Sequence, residues 1–290
     1  MRRASEIEEI TNLYVIHPIS SFLTPRFAKL GVTPNAVSLM GMAFGGLAGF
    51  AYYHYRDLRW AVAGFLLMIA WHVMDGTDGQ LARLTHAQSE LGKILDGICD
   101  YVIFIAVYSG LAAALFRDIG PWSWLIVAGA GLCHAFQSAA YEAQRQEYAY
   151  WGLDRKSAKL AMPPQARSVG AAPRPMEALY RLYVHAQLLV STQAVGFRDK
   201  LTQAIDDAGA DHAAVFRARY REIFAPSIRR WSILSANYRT IGIFLAAAIG
   251  WPLYYFIFEI VGFSAILALL LIYQRSRYRL LFESRSKSSS

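Results

Sequence analysis

Six stretches of this chain are nearly free of charge: "NAVSLMGMAFGGLAGFAYY" (35–53), "WAVAGFLLMIAWHV" (60–73), "YVIFIAVYSGLAAALF" (101–116), "WSWLIVAGAGLCHAF" (122–136), "IGIFLAAAIG" (241–250) and "YYFIFEIVGFSAILALLLIY" (254–273). A helix needs about 20 mostly apolar residues to cross a bilayer. The second and third stretches reach that length only if each takes in part of the polar segment between them. The pattern predicts an all-α integral membrane protein with six transmembrane helices. A tight turn near Trp251-Pro252 separates the last two, and Glu259 falls inside or just before the sixth. Residues 5–30 read as an N-terminal interfacial amphipathic helix, with Ile7, Ile10, Tyr14, Phe22, Phe27 and Leu30 among its apolar positions and Pro18 as an interruption.

The organisation expected from this pattern has five parts. They are an interfacial arm (1–34), helices 1–4 (35–147), a cytoplasmic helical insertion (148–230), helices 5–6 (231–275) and a cytoplasmic tail (276–290). Thr33 suits an N-cap and Pro34 the first helical position. Gly41, Gly45 and Gly49 recur every four residues, a stripe for close helix packing. Within the insertion, "MPPQARSVGAAPRP" (162–175) reads as extended. Apolar residues then recur at helical spacing from Met176, and a second helix covers roughly 211–224.

Composition agrees with the pattern: 55% of the 290 residues are hydrophobic and 17% charged, against about 25% charged in soluble domains. The first residues, "MRRASEIEEITNLYVIHPISSFL", hold acids where a secretory leader has its apolar core, so no cleavable signal peptide is expected. Cys99 and Cys133 fall in apolar helices and are expected as thiols. The net charge of +8 is read as topology and not as a nucleic-acid footprint. Lys and Arg gather in the arm (Arg2, Arg3, Arg26, Lys29), the 2–3 connection (Arg83, Lys93), the insertion and the tail. The opposite loops hold only Arg56, Arg59 and Arg117. Both termini and the polar 74–101 segment are therefore expected on the cytoplasmic face of a bacterial-type inner membrane.

That segment, "MDGTDGQLARLTHAQSELGKILDGICDY", carries the candidate chemistry. Asp75, Asp78, Gly79 and Ala82 share one face at the end of helix 2. Gly92, Asp96 and Asp100 share one face at the start of helix 3. The two helices are joined closely, so the four carboxylates are expected to converge at the membrane edge. Such a cluster resists ionising together without a cation. Oxygen-only ligands suit magnesium, manganese or calcium rather than zinc. Two such ions can clamp a phosphoryl group during in-line displacement. Gly79 and Ala82 leave room for a diphosphate, and Arg83 can pair with phosphate or brace a carboxylate. Solvated helix ends are the plainer alternative, but four acids on matching faces at membrane depth favour function.

The string D-G-T-D-G-Q-L-A-R, eight residues, then G-K-I-L-D-G-I-C-D resembles the CDP-alcohol phosphotransferase signature at every fixed position: Asp75, Asp78, Gly79, Ala82, Arg83, Gly92, Asp96 and Asp100. At residue frequencies of about 5–8%, a chance match anywhere in the chain is on the order of 10⁻⁷. The six-helix layout, the arm and "TPN" opening helix 1 also resemble the family, over about 5–145 and 231–275. The insertion departs from it, because members commonly have a shorter connection there.

The resemblance implies that an acceptor hydroxyl attacks the β-phosphorus of a CDP-activated alcohol, releasing CMP, with two Mg²⁺ or Mn²⁺ ions as cofactors. It implies Asp75, Asp78 and Asp96 as metal ligands. Asp100 would be the base, also touching a metal. Gly79, Ala82 and Arg83 would line the CDP site, with Asn35 near that face. CDP-diacylglycerol with a polar acceptor is the favoured pair; the alternative is a small CDP-alcohol (choline or ethanolamine type) with a lipid hydroxyl. The implied partners are these substrates, the lipid bilayer and a second copy in a homodimer, with no nucleic acid.

Two rivals use similar residues. An intramembrane prenyltransferase would spread its aspartates over distant segments. A cation transporter would need acids deep in several helices, where this chain offers only Glu259 and His134. His134 reads either as a packing residue or as a lining of the acceptor pocket. Arg145 and Arg239 read either as topology signals or as ligands for an anionic acceptor.

Overall fold

The computed structural model describes residues 6–87, 90–155 and 209–286. All regular structure among them is helical. A π-helical turn (Asn12–Ile16) leads into α1 (His17–Lys29), followed by α2 (Pro34–Tyr53), α3 (Leu58–Leu84), α4 (Glu90–Ile119) and α5 (Trp122–Leu153). Beyond the insertion come α6 (Gly209–Trp231), a 3₁₀ turn (Ser232–Leu234), α7 (Ala236–Ala248) and α8 (Pro252–Ser286).

Local chemistry sets the helix ends. Thr33 is extended and its side chain accepts from Ala36 N at 3.2 Å, with Pro34 opening α2. Asp57 caps α3 by accepting from Arg59 N at 3.0 Å. That helix ends in a Schellman-type turn. His86 takes the left-handed conformation (φ 54°), and Ala87 N donates to Ala82 O at 3.0 Å. A similar turn at Gly250 (φ 82°), with Trp251 N on Ala246 O at 2.8 Å, ends α7, and Pro252 starts α8. The boundary expected at Trp251-Pro252 is therefore the observed one, and Glu259 lies well inside α8.

Four helical stretches are long and apolar enough to cross a membrane: Pro34–Tyr53, Leu58–Leu84, Cys99–Ile119 and Pro252–Tyr278. The pattern predicted six spans. The difference lies in α5 and α7. The second half of α5 carries Gln137, Glu142, Gln144, Arg145, Gln146 and Glu147. At 13 residues, α7 is only about 20 Å long, because extended Ser235 stops it at its N-terminal side.

The chain divides into two compact units. One comprises Glu8–His134 and Ala236–Gly262. In it α2 packs on α3 and α4, and α3 also packs on α1 and α7. The glycine stripe on α2 serves this packing. A Cβ on Gly45 would strike the Ile103 side chain, and one on Gly110 of α4 would sit 2.0 Å from Gly49 O. At that crossing α2 and α4 meet backbone to backbone. Near the aspartate-bearing end, Val37, Val73, Met74 and Leu81 form a buried cluster with Leu23 and Phe27 against it.

The arm differs from a purely surface helix. Pro18 follows directly on the π-helical turn, a local widening of an otherwise continuous helical run from residue 10 to Lys29. The packed face of α1 mixes Leu23 and Phe27 with small polar residues, of which Ser20 and Thr24 are buried. Ser20 Oγ donates to Val73 O at 2.9 Å, and Ser21 Oγ donates to the Gln80 side chain at 3.2 Å. Tyr14 and Phe22 are exposed.

The other unit comprises Met1–Ile7, Ala135–Ser235 and Phe263–Ser290. Its core joins Ile7, Tyr148, Trp151, Tyr220, Phe224 and Ile228. Glu6 accepts from Arg221 Nε and Nη2, each at 3.0 Å, and from Tyr148 Oη at 2.8 Å. Its backbone oxygen takes Arg229 Nε at 2.6 Å. A buried amide chain links Gln274 to Ser227 and, at 3.0 Å, to Gln144. The second insertion helix, expected at 211–224, is the longer α6. The helix expected from Met176 and the extended piece before it lie outside the described residues.

Candidate active site at the ends of helices α3 and α4

The candidate site grows from the last turns of α3. Asp75 and Asp78 are one turn apart on the same helix face. Asp75 is half-buried, and Asp78 is 6% exposed. A carboxylate so enclosed needs donors. One comes from a residue that sequence reasoning passed over: Ser38 Oγ on α2 donates to Asp78 Oδ2 at 2.5 Å. Asp75 and Arg83 both lie within electrostatic reach of Asp78.

Arg83 is exposed and folds back along its helix. Its Nη1 would be 3.4 Å from a Cβ on Gly79. The glycine thus leaves a shallow bare strip of helix beneath a guanidinium, flanked by half-buried Ala82. The strip offers room where a side chain is missing and positive charge from Arg83. Asn35 is exposed at the start of α2, one turn before Ser38.

Asp100 is half-buried on α4 and has interaction partners of its own. Gly92 and Asp96 belong to the same helix, but their side chains lie outside the described residues. Among the described residues, no three His, Cys, Asp or Glu side chains come close enough to hold a metal. The two helices do approach one turn deeper, where Trp71 meets Phe104 edge to face with centroids 5.5 Å apart. The donor chemistry suits a hard divalent ion. Asp78 is an enclosed carboxylate with a second carboxylate one turn away, and Ser38 offers it a neutral hydroxyl rather than a cation.

Beneath the aspartates lies a second polar group that the sequence left undecided. Arg239 of α7 and Glu259 of α8 are both fully buried, and Arg239 Nε donates to Glu259 Oε1 at 2.8 Å. Tyr108 of α4 donates to the other oxygen of Glu259. Its hydroxyl also lies 3.1 Å from His134 Nδ1 and 3.5 Å from Tyr255 Oη. His134 is therefore a packing residue of this network. Arg239 is consumed by Glu259, which corrects its reading as an acceptor ligand. Arg145 pairs with Glu142 at 2.7 Å, three residues earlier on α5.

Comparison with known proteins bears on the region that holds these groups. Residues 31–163 match the family model for CDP-alcohol phosphatidyltransferase. A CDP-diacylglycerol–serine O-phosphatidyltransferase of Mycobacterium tuberculosis is 28% identical over 42% of this chain and 41% of its own length. An archaetidylinositol phosphate synthase of Pyrococcus horikoshii is 32% identical over 29% of this chain and 43% of its own. An inner membrane protein of Escherichia coli (strain K12) is 29% identical over 44% of this chain and 61% of its own. In each case the match spans less than two thirds of the relative. No solved structure matches the chain.

Proposed function

We propose that this chain, with a CDP-alcohol phosphatidyltransferase region at 31–163, is an integral membrane phosphotransferase of phospholipid synthesis. It joins a CDP-activated alcohol to an acceptor hydroxyl and releases CMP. The observation that carries the reading is the pairing at the end of α3: two carboxylates one turn apart, the enclosed one oriented by Ser38, beside a bare glycine strip under Arg83.

Asp75, Asp78 and Asp96 would hold two divalent cations, Mg²⁺ or Mn²⁺, with Asp100 at their edge. When bound, such ions neutralise the diphosphate and the charge that develops on the leaving phosphate. The chain's own residues supply the rest. Ser38 fixes the rotamer of Asp78. Gly79 and Ala82 admit the CDP diphosphate against the helix, and Arg83 pairs with its oxygens. Asp100 takes the proton of the acceptor hydroxyl as its oxygen attacks phosphorus, and CMP departs.

The finer topology is part of the proposal. The six spans are α2, α3, α4, α5, α7 and α8, with the termini and the aspartates on the cytoplasmic side. The exposed apolar residues of the arm meet the lipid interface. CDP-diacylglycerol is the favoured donor, supported by the likeness to the mycobacterial CDP-diacylglycerol–serine O-phosphatidyltransferase.

The test is CMP release by purified protein from CDP-diacylglycerol and from small CDP-alcohols, each with a panel of acceptors. Activity should vanish with EDTA and return with magnesium or manganese. Asp75→Asn and Asp96→Asn should each lower turnover at least about a hundredfold. Full activity in either variant, or no CMP from any donor, overturns the reading.

A further inference from the structure

Three polar residues in the first turn of α7 each hold a different element. Asn237 Nδ2 donates to Glu9 and, at 2.9 Å, to Asn12 Oδ1, at the root of the N-terminal arm. Arg239 holds Glu259 of α8, which in turn takes the hydroxyl of Tyr108 on α4. Thr240 Oγ1 lies 2.9 Å from His72 Nε2 on α3. All of these side chains are buried. His72 is one turn before Asp75, and Tyr108 is two turns beyond Asp100. Both aspartate-bearing helices are thus fastened to the same turn of α7.

The level of this fastening is also informative. Counted along each helix from the end away from the aspartates, Tyr108 and His134 lie roughly 16–18 Å up, and His72 about 21 Å. Asp75 and Asp100 lie about 25–28 Å up on the same count. The network is therefore a layer one to two turns beneath the carboxylates. Apolar packing alone lets helices slide and rotate by small amounts. Directional bonds to a buried ion pair do not, because a broken one leaves an unpaired charge in a dry interior.

We infer that the first turn of α7, with Glu259 and Tyr108, is a positioning hub that fixes the separation and rotation of α3 against α4. It thereby sets the spacing of Asp75 and Asp78 from Asp100. The inference rests on the proposed function only in what the spacing is for; the spacing itself can be measured without it.

The experiment has two arms. In the first, nitroxide labels replace the exposed residues Leu66 of α3 and Ile105 of α4, in a background with Cys99→Ala and Cys133→Ala. Pulsed electron spin resonance reads the distance between them. Tyr108→Phe and Thr240→Val should each broaden or shift that distance. Leu111→Ala, a fully buried apolar truncation on α4, should not, even where it lowers the thermal midpoint by as much.

In the second arm, Mn²⁺ binding to unlabelled protein is followed by the loss of its free-ion resonance. The two hub variants should weaken binding at least about fivefold, and Leu111→Ala less than twofold. In Glu259→Gln the effect should be larger. Arg239→Gln/Glu259→Gln, which restores neutrality, should recover part of it. Unchanged distances in both hub variants, or equal changes in Leu111→Ala, overturn the hub. A wild type that binds no Mn²⁺ and releases no CMP overturns the proposed function, and the distance arm still decides the hub.

Discussion

Ser38 carries no charge and matches no motif position, yet it reaches Asp78, the most enclosed carboxylate of the site among the described residues. The shared face of Asp75 and Asp78 was legible because spacing on a helix fixes which side chains lie together, and acids in apolar surroundings stand out. A serine in a small-residue helix does not stand out, since the same residue type serves close packing. Arg239 was left undecided for a related reason: charge is visible in sequence, but burial against a partner 20 residues away is not. Replacing Ser38 with alanine should leave the fold intact and free the Asp78 rotamer. Turnover should fall about tenfold, with a higher magnesium concentration for half-activation, read from CMP release across a magnesium titration. Glu6 allows a second prediction. The paired guanidinium of Arg221 holds its carboxyl below the usual value, with Tyr148 and Arg229 adding to this against the opposing effect of burial. A lowered folded pKa contributes stability above the unfolded value of about 4.5, lost as pH falls through the folded value. The pair is partly exposed, so the gain is at most about 1 kcal/mol. Glu6→Gln should therefore unfold more easily at pH 6–7, with the gap to wild type closing below pH 4 in matched thermal melts.

Among the elements, helix starts and stops were readable wherever a cap or a proline decides them, as at Thr33-Pro34 and Trp251-Pro252. Less readable was the arm, whose apolar positions suggested a surface helix. Its packing on α3 combines Leu23 and Phe27 with buried Ser20 and Thr24, whose hydroxyls satisfy backbone carbonyls where the two helices approach. Gly110 was not singled out, since its partner across the contact is backbone, and backbone leaves no trace in sequence. Gly110→Ala places a methyl group on the Gly49 carbonyl and should cost about 3 kcal/mol or more, through separation of α2 and α4. Gly46, with open space around it, is the matched control: Gly46→Ala should be neutral or slightly stabilising. Denaturant unfolding in detergent reads both. At the end of α3, His86→Gly should raise stability by about 0.5–1 kcal/mol by relieving a left-handed histidine.

On the scale of the whole molecule, the all-helical membrane class and four of the spans follow from runs of apolar residues alone. Of the other two expected spans, α5 carries polar groups along its second half and α7 has only 13 residues, so neither is both long and apolar enough to count as a span. Cysteine-accessibility labelling in sealed inner-membrane vesicles checks the proposed orientation: positions near Arg83 and Arg275 should react from the cytoplasmic side, and positions near Arg56 and Arg117 from the other. The Arg239–Glu259 pair also constrains how the protein is made. From the turn at Gly250, Arg239 lies about 15 Å along α7 and Glu259 about 13 Å along α8, near the middle of a 30 Å hydrocarbon layer. An arginine entering alone at that depth costs roughly 2.5–3.5 kcal/mol, and a 13-residue helix has little apolar surface to offset it. The two segments should leave the translocon as one hairpin, already neutralised, after Glu259 has been synthesised. Chains ended between 250 and 258 and released from the ribosome should leave α7 in an extractable state, and chains that include all of α8 should carry it into the bilayer.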